Sequence, residues 1–248
     1  MKTICVIQPY IFPYLPYYQL AYAVDEFWIF DDVQYIRRGW MNRNYIINNG
    51  HRQLFTLPVC KGSRSDLIRE KQLPETFAKS LDDLILSIGN SYAKAPNLEV
   101  VLDLLRALSS RNWGSFLEFS SYSLELTFKR LGINTRMQRT SQLDIPESLH
   151  GAQRIIEVCH RAGAQHYVNP IGGLALYDED SFSEAGLRLS FLKGELPEYQ
   201  HGAKSAFEPG LSILDFLAWV NPADYDGFLK NYELIGGQNS RNQLQPLD

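Results

Sequence analysis

The sequence is poor in features that would each indicate a particular class of protein. It has three cysteines in 248 residues and no CxxC pair, so neither a disulfide framework nor a zinc site is expected. No apolar run approaches the roughly 20 residues that span a bilayer. The start, MKTICVIQPY, is typical of a first strand and not of a signal peptide. We therefore expect a globular, cytoplasmic protein.

Basic residues and several catalytic motifs are also scarce. The net charge of −4 argues against general nucleic-acid binding, although it leaves room for a small basic pocket. The five histidines show no HxxxH or HxH spacing, there is no GxSxG, and the Gly172-Gly173 pair lacks GxGxxG or P-loop spacing. We therefore predict no metal site from the sequence.

What is present predicts an α/β fold with an open, mainly parallel sheet and flanking helices. Residues 3–7 and 26–31 are predicted strands, joined by a proline-rich loop over 8–15 and a helix from Pro16 to Val24. Such a βαβ unit has parallel strands. Residues 43–59 predict a β-hairpin, because an Asn-Gly pair suits a type I′ turn.

Helical patterns then predict a central insertion, and a second run of strands and helices follows it. The predicted helices of the insertion cover 75–89, 97–109 and 113–131. The later predictions are a strand at 133–140, a helix at 148–162, a strand at 165–169, a Gly-Gly loop, a helix at 179–185, a strand at 187–192 and a helix at 213–220 capped by Ser212. We expect one domain over 1–235, with its insertion at about 75–131, and a flexible tail over 236–248.

Polar residues follow three of the predicted strands, where open parallel sheets bind their ligands. They are Gln8 after the first strand, Asp31 and Asp32 at the end of the second, and Asn169, Gly172 and Gly173 after a later one. Carboxylates there can bind a metal, accept a proton, or hold sugar hydroxyls and an ammonium group. Paired acids after a strand are as often caps, so both interpretations stay open at this point.

Residues 31–45, DDVQYIRRGWMNRNY, concentrate recognition groups. The arginines suit phosphate or carboxylate, the tryptophan can stack on a ring, and the asparagines can read polar edges. These candidates are Arg37, Arg38, Trp40, Asn42, Arg43 and Asn44. If residues 40–44 are extended, the tryptophan and both asparagines share one face. The group predicts a nucleotide or nucleotide-sugar ligand, although arginine runs are usually only solvated.

Several long blocks of the chain resemble the WbqC-like family of bacteria. They are IQPYIFPYLPYYQL, DEFWIFDDVQY and RRGWMNRNYI, followed by YVNPIGGLALYDEDSF and FEPGLSILDFL, in the same order. Genes of that family commonly sit among those for surface polysaccharides such as the O-antigen of lipopolysaccharide. The resemblance therefore implies a role in building or decorating an amino-sugar nucleotide, and glycine or acyl transfer to the sugar amine is one suggested role.

The first of three functional hypotheses is an N-acyl or aminoacyl transferase that acts on a dTDP- or UDP-linked amino sugar. Asp31 or Asp32 would be the general base. Arg38 and Arg43 would hold the diphosphate, and Trp40 would stack on a ring. The acyl donor would be an aminoacyl or acyl-CoA species.

The other two hypotheses are an ATP-dependent ligase or nucleotidyltransferase of the HIGH-like type, with magnesium, and a non-catalytic partner that binds a sugar nucleotide. YLPYYQLAYAVD occupies the place of the HIGH loop in such α/β folds, with Tyr14 and Tyr17 where those enzymes carry histidines. Because imidazoles that stabilise transferring phosphates are missing, this hypothesis ranks second. The two tyrosines count as candidate substrate-binding residues.

Overall fold

The computed structural model describes residues 1–201 and 207–236. The strands of these residues are β1 (Thr3–Ile7), β2 (Glu26–Ile29), β3 (Arg43–Asn48), β4 (His51–Thr56), β5 (Arg136–Arg139), β6 (His166–Pro170), β7 (Arg188–Gly194) and β8 (Tyr232–Gly236). Six of them form one sheet in the order β5-β2-β1-β6-β7-β8, in which only the β7–β8 pair is antiparallel. The predicted α/β class with a mainly parallel sheet is confirmed.

The helices of the described residues are α1 (Leu15–Tyr22), α2 (Phe77–Ser91), α3 (Leu98–Ser109), α4 (Phe116–Leu131), α5 (Gly151–Arg161), α6 (Glu179–Glu184), α7 (Ile213–Trp219) and α8 (Tyr225–Leu229). The three predicted helices of the insertion are confirmed as α2, α3 and α4. Gly132 ends α4 with a left-handed φ of 73°, a conformation that glycine adopts without steric cost. The hydroxyl of Ser212 caps α7 by accepting from the N–H of Leu214 at 3.3 Å, as predicted.

The first βαβ unit and the hairpin also form as predicted. β1 and β2 are parallel, with Cys5 opposite Phe27. β3 and β4 are antiparallel around Asn49 and Gly50, whose φ values of 51° and 77° are both positive. A type I′ turn requires this pair of conformations.

The sheet buries an apolar face on each side. Ile4, Val6 and Trp28 pack with α5 and α6 on one side. Cys5 and Phe27 face the other side, which packs against α1, the helical insertion and α7. Alternate residues of a strand point to opposite faces, so one short strand serves both cores. Burial raises the pKa of the Cys5 thiol, as expected for an apolar core residue.

The proline-rich loop between β1 and α1 holds an unusual backbone conformation at a buried residue. Phe12 has a φ of 46°, which costs a bulky side chain on the order of 1–3 kcal/mol. Its carbonyl oxygen accepts from Nδ2 of Asn44 at 2.7 Å and from the hydroxyl of Ser212 at 2.9 Å. Side chains from β3 and from the start of α7 thus fix the loop.

Two predictions differ from the structure. Residues 40–42 lie in turns before β3 and are not extended, so Trp40, Asn42 and Asn44 do not share a strand face. The cause is a tight turn, in which Arg38 has a φ of 59°. The Gly172-Gly173 loop is a 3-10 turn over Ile171–Leu176.

The strand β8 was not predicted at all, and it pairs with β7, opposing Ile235 to Phe191. Gly236, assigned to the predicted tail, ends that strand, and the rest of the tail lies outside the described residues. The single domain over 1–235 stays a prediction. No helix in the described part of the chain is long and apolar enough to cross a membrane.

Candidate functional site

The site forms at the edge of the sheet where β1, β2 and β6 end. These three strands are parallel neighbours, so the residues that follow them lie along the same edge. Gln8, directly after β1, lines a cleft of about 700 Å³. The segment 33–38, which follows β2, and Arg64 form the rest of its wall. A cleft of this volume is within the range of small-molecule sites.

A second cleft of about 530 Å³ shares Tyr35, Arg37 and Arg38 with the first. We call the two together the cationic clefts. The cationic side chains that line them are Arg37, Arg38, Arg43, Lys61, Arg64 and Lys71. Six such groups in a chain of net charge −4 concentrate positive charge in one place. Three of the predicted binding residues, Arg37, Arg38 and Arg43, thus line the same cleft.

The backbone around these arginines is fixed by contacts between two loops. The guanidinium of Arg37 donates to the carbonyl oxygen of Gly62, and that of Arg43 donates to the carbonyl oxygen of Arg38. The N–H of Tyr35 donates to the carbonyl oxygen of Asp66 at 3.0 Å. Residues 33–38 are therefore tied to the loop 61–66, which supplies Lys61 and Arg64 to the clefts.

Lys71 is a buried cation in the wall of the second cleft, with 4% of its surface exposed. Its Nζ lies 3.0 Å from Oδ2 of Asp66 and 5.5 Å from the ring centroid of Tyr35. The hydrogen bond from Lys71 lowers the pKa of the Asp66 carboxyl. A Cβ at Gly62 would lie 2.0 Å from Oδ2 of Asp66, so a side chain there would displace the carboxylate of this ion pair. The sequence gives no local signal for this lysine, because it lies ten residues beyond the start of the loop 61–66.

The two candidate acids have partners on the segment that follows β5. Asp31 is 1% exposed, and its carboxylate accepts from the N–H of Ser141 at 3.0 Å and from the hydroxyl of Ser141 at 2.6 Å. Asp32 accepts from the hydroxyl of Thr140 at 2.6 Å and forms an ion pair with Arg154. Neither acid lines the cationic clefts. Their contacts join the end of β2 to the end of β5, and their catalytic role stays a prediction.

Most of the candidate amides also bind to the protein itself. Nδ2 of Asn42 donates to the carbonyl oxygen of Leu57 at 2.7 Å, although the residue lines the second cleft. The side chain of Asn169 is buried, and its Oδ1 accepts from the hydroxyl of Tyr167 at 3.0 Å. A Cβ at Gly173 would lie 1.8 Å from Nδ2 of Asn169, whereas one at Gly172 would meet open space. Gly173 thus permits close packing on Asn169.

The two candidate tyrosines lie in different environments. Tyr17 is buried, and its hydroxyl donates to the carbonyl oxygen of Gln8 at 3.0 Å. Tyr14 is exposed and lines a third cleft of about 310 Å³, together with Trp40. Only Tyr14 is therefore placed to meet a ligand. Within the described residues, no group of three or more His, Cys, Asp and Glu side chains is arranged to hold a metal ion.

Comparison with known proteins agrees with the blocks noted in the sequence. Residues 8–226 match the sequence model of the WbqC-like protein family. The chain belongs to the WbqC-like protein family. A relative, the uncharacterized protein Rv1507c of Mycobacterium tuberculosis, is 29% identical over 227 residues, which cover 88% of this chain and 93% of that protein. No solved structure matches this WbqC-like chain. The cationic clefts fall entirely within the residues that match the family.

Proposed function

We propose that this WbqC-like protein binds a nucleotide-linked amino sugar and transfers an acyl, glycyl or aminoacyl group to its amine, in the biosynthesis of surface polysaccharide. The single observation that carries the proposal is the set of six cations around Tyr35, at the carboxyl edge of a parallel sheet. The class of substrate comes from the family resemblance, because genes of the WbqC-like family commonly sit among those for surface polysaccharides.

A diphosphate fits these clefts better than a larger polyanion does. Arg37 and Arg38 line both clefts, so a linear anion that passes between them can meet both guanidinium groups. Planar guanidinium groups bind phosphate oxygens in pairs. The positive charge is confined to clefts of about 700 and 530 Å³, in a chain whose overall charge is negative. That distribution suits a small anionic ligand and not the long charged backbone of a nucleic acid.

The proposed reaction is nucleophilic acyl substitution. The sugar ammonium loses one proton to a carboxylate, for which Asp31 and Asp32 are the proposed bases. The amine nitrogen then attacks the carbonyl carbon of an activated donor, and the new N–C bond forms as the bond to the leaving group breaks. The leaving group, which is the thiolate of acyl-CoA or the corresponding group of an aminoacyl or ATP-derived acyl donor, takes the second proton from nitrogen.

Gln8 is the polar side chain at the end of β1 that lines the first cleft, so we assign it to the sugar or to the acyl carbonyl. The HIGH-like ATP ligase has less support, because Tyr17, one of the two residues at the positions where those enzymes carry histidines, is buried. A non-catalytic partner would use the same clefts without turnover.

Mass spectrometry of a reaction mixture tests the proposal directly. The purified protein is incubated with dTDP- and UDP-linked 3-amino and 4-amino sugars, and with glycine plus ATP, acyl-CoA or aminoacyl donors. We expect a donor-dependent mass gain on one sugar nucleotide, and the donor that works separates a transferase from an ATP-dependent ligase. Binding of the sugar nucleotides with no mass gain for any donor would favour the non-catalytic role.

A further inference from the structure

Four of the eight residues that line the third cleft carry aromatic rings, and no part of the ligand has yet been assigned to this cleft. We call it the aromatic cleft, and its ring residues are Tyr10, Tyr14, Trp40 and Tyr45. Trp40 is 49% exposed and Tyr14 is 41% exposed, so both rings present surface to a ligand. The ring centroids of Trp40 and Tyr45 lie 5.4 Å apart, and those rings form one wall. Exposed rings that converge on a concave surface are typical of ligand sites.

The aromatic cleft adjoins the cationic clefts at one pair of side chains. The guanidinium of Arg43, which lines the second cationic cleft, lies over the ring of Trp40 at 5.4 Å from its centroid. The second cationic cleft in turn meets the first at Tyr35, and the first reaches Gln8. The three clefts therefore lie in the order aromatic cleft, second cationic cleft, and first cationic cleft with Gln8.

We propose that the aromatic cleft binds the nucleobase of the nucleotide-sugar, while the cationic cleft beside Arg43 binds the diphosphate and the cleft beside Gln8 binds the amino sugar. This assignment rests on the proposed function and gives the ligand a direction. In a nucleotide-sugar the diphosphate lies between the base and the sugar. The second cationic cleft lies in the same way between the aromatic cleft and the cleft beside Gln8. Every base has a π-face that can stack on an aromatic ring.

The polar side chains that line the aromatic cleft already bind other parts of the protein, which favours recognition of the base by stacking on its faces. Nδ2 of Asn44 donates to the carbonyl oxygen of Phe12, and Oδ1 of Asn44 accepts from the N–H of Tyr45 at 2.8 Å. The guanidinium of Arg52 is paired with Glu208 at 2.9 Å and lies 3.9 Å from the ring centroid of Tyr45. Since these groups are engaged with the protein, we expect UDP and dTDP to bind with similar affinity.

Calorimetric titration with UDP and with inorganic pyrophosphate tests the assignment on the full chain. We expect Tyr14→Ala and Trp40→Leu each to weaken UDP binding by about tenfold, within the range known for base–aromatic stacking. For Tyr14→Ala, the affinity for pyrophosphate should stay at the wild-type value, because the cations remain. Tyr14→Phe is the matched control and should bind UDP like the wild type, since it keeps the ring. Thermal melting of each variant confirms that it folds.

Three results would overturn the assignment, and they are distinguishable from one another. If both truncated variants bind UDP like the wild type, the base does not use this cleft, while the proposed function stands. The same conclusion follows if wild-type protein binds UDP and pyrophosphate equally well. If wild-type protein binds pyrophosphate but not UDP, the proposed nucleotide-sugar function fails together with the assignment.

Discussion

Asp32 carries two possible roles, and one pair of substitutions separates them. As the proposed base, Asp32 acts on substrate, and general bases contribute about 100-fold to 10,000-fold in rate. As a structural residue, it only holds Arg154, with which it forms an ion pair between largely buried side chains. Both roles predict some loss of stability when either partner is changed.

We therefore expect Asp32→Asn to lower turnover by at least about 100-fold while the protein still binds sugar nucleotide. Arg154→Gln breaks the same ion pair and should retain measurable turnover. The measurement is the initial rate of amide formation, together with the melting temperature of each variant. Equal losses of rate in the two variants would show that Asp32 acts only through its structural contact.

His166, in β6, links its strand to the two neighbouring strands of the sheet through its two ring nitrogens. Its Nδ1 lies 3.4 Å from the hydroxyl of Thr3 in β1, and its Nε2 lies 2.8 Å from that of Ser190 in β7. Burial, and then the charge of Arg188, lowers the pKa of this histidine from 6.5 to about 4. Between pH 6.5 and about 4, the imidazole of His166 is therefore mostly neutral in the folded protein and mostly protonated in the unfolded chain.

We expect the free energy of unfolding to decrease as the pH falls from 6.5 to about 4, because in this range the unfolded state binds more protons at His166. His166→Gln should flatten this part of the pH profile. Urea denaturation at several pH values measures it, and His51→Gln, on the exposed surface of β4, is the control. A slope that is the same in wild type and His166→Gln would contradict this source of the pH dependence.

Ser212 connects the start of α7 to the strained loop that leads into α1. Its hydroxyl accepts from the N–H of Leu214 and donates to the carbonyl oxygen of Phe12 at 2.9 Å. Removing a helix cap costs about 0.5–2 kcal/mol, and leaving a buried acceptor without its donor adds to that cost. Ser212→Ala should therefore destabilise the protein by about 2 kcal/mol.

Chemical denaturation of Ser212→Ala measures this loss, and Ser115→Ala is the matched control. Ser115 caps α4 with a longer bond of 3.4 Å to the N–H of Glu118, in an exposed position. We expect a smaller loss of stability there. If the two variants were equally stable, the second bond of Ser212, to Phe12, would not hold the loop.

At the scale of the whole molecule, hydrophobic periodicity and turn residues predict most of the helices and strands. They do not predict which polar side chains are left to contact a ligand. The hairpin follows from Asn49-Gly50, and the parallel sheet follows from the βαβ pattern. β8 was missed because its residues are largely exposed and carry no buried run. Its place depends on pairing with β7, which is a distant contact along the chain.

The candidate site shows the same division between local and tertiary information. Arg37, Arg38 and Arg43 were chosen as candidates from their residue types, and they line the same cleft, while their role in binding stays a prediction. Asp31, however, is buried against a segment more than 100 residues away, and no local pattern indicates that contact. Lys71 joins the cationic wall for the same reason, because its partner and its burial arise only from tertiary packing.

The central claim is that the arginines of the cationic clefts bind the diphosphate of a nucleotide ligand, and titration of UDP into arginine variants tests it most directly. Arg37→Gln/Arg38→Gln removes the two guanidinium groups shared by both clefts. Arg106→Gln/Arg130→Gln removes the same charge from exposed positions of the helical insertion. We predict that the first double variant loses at least about tenfold in UDP affinity, since charge-assisted hydrogen bonds contribute about 1.5–3 kcal/mol each. The second should bind like the wild type. Equal affinity in both double variants would contradict the account.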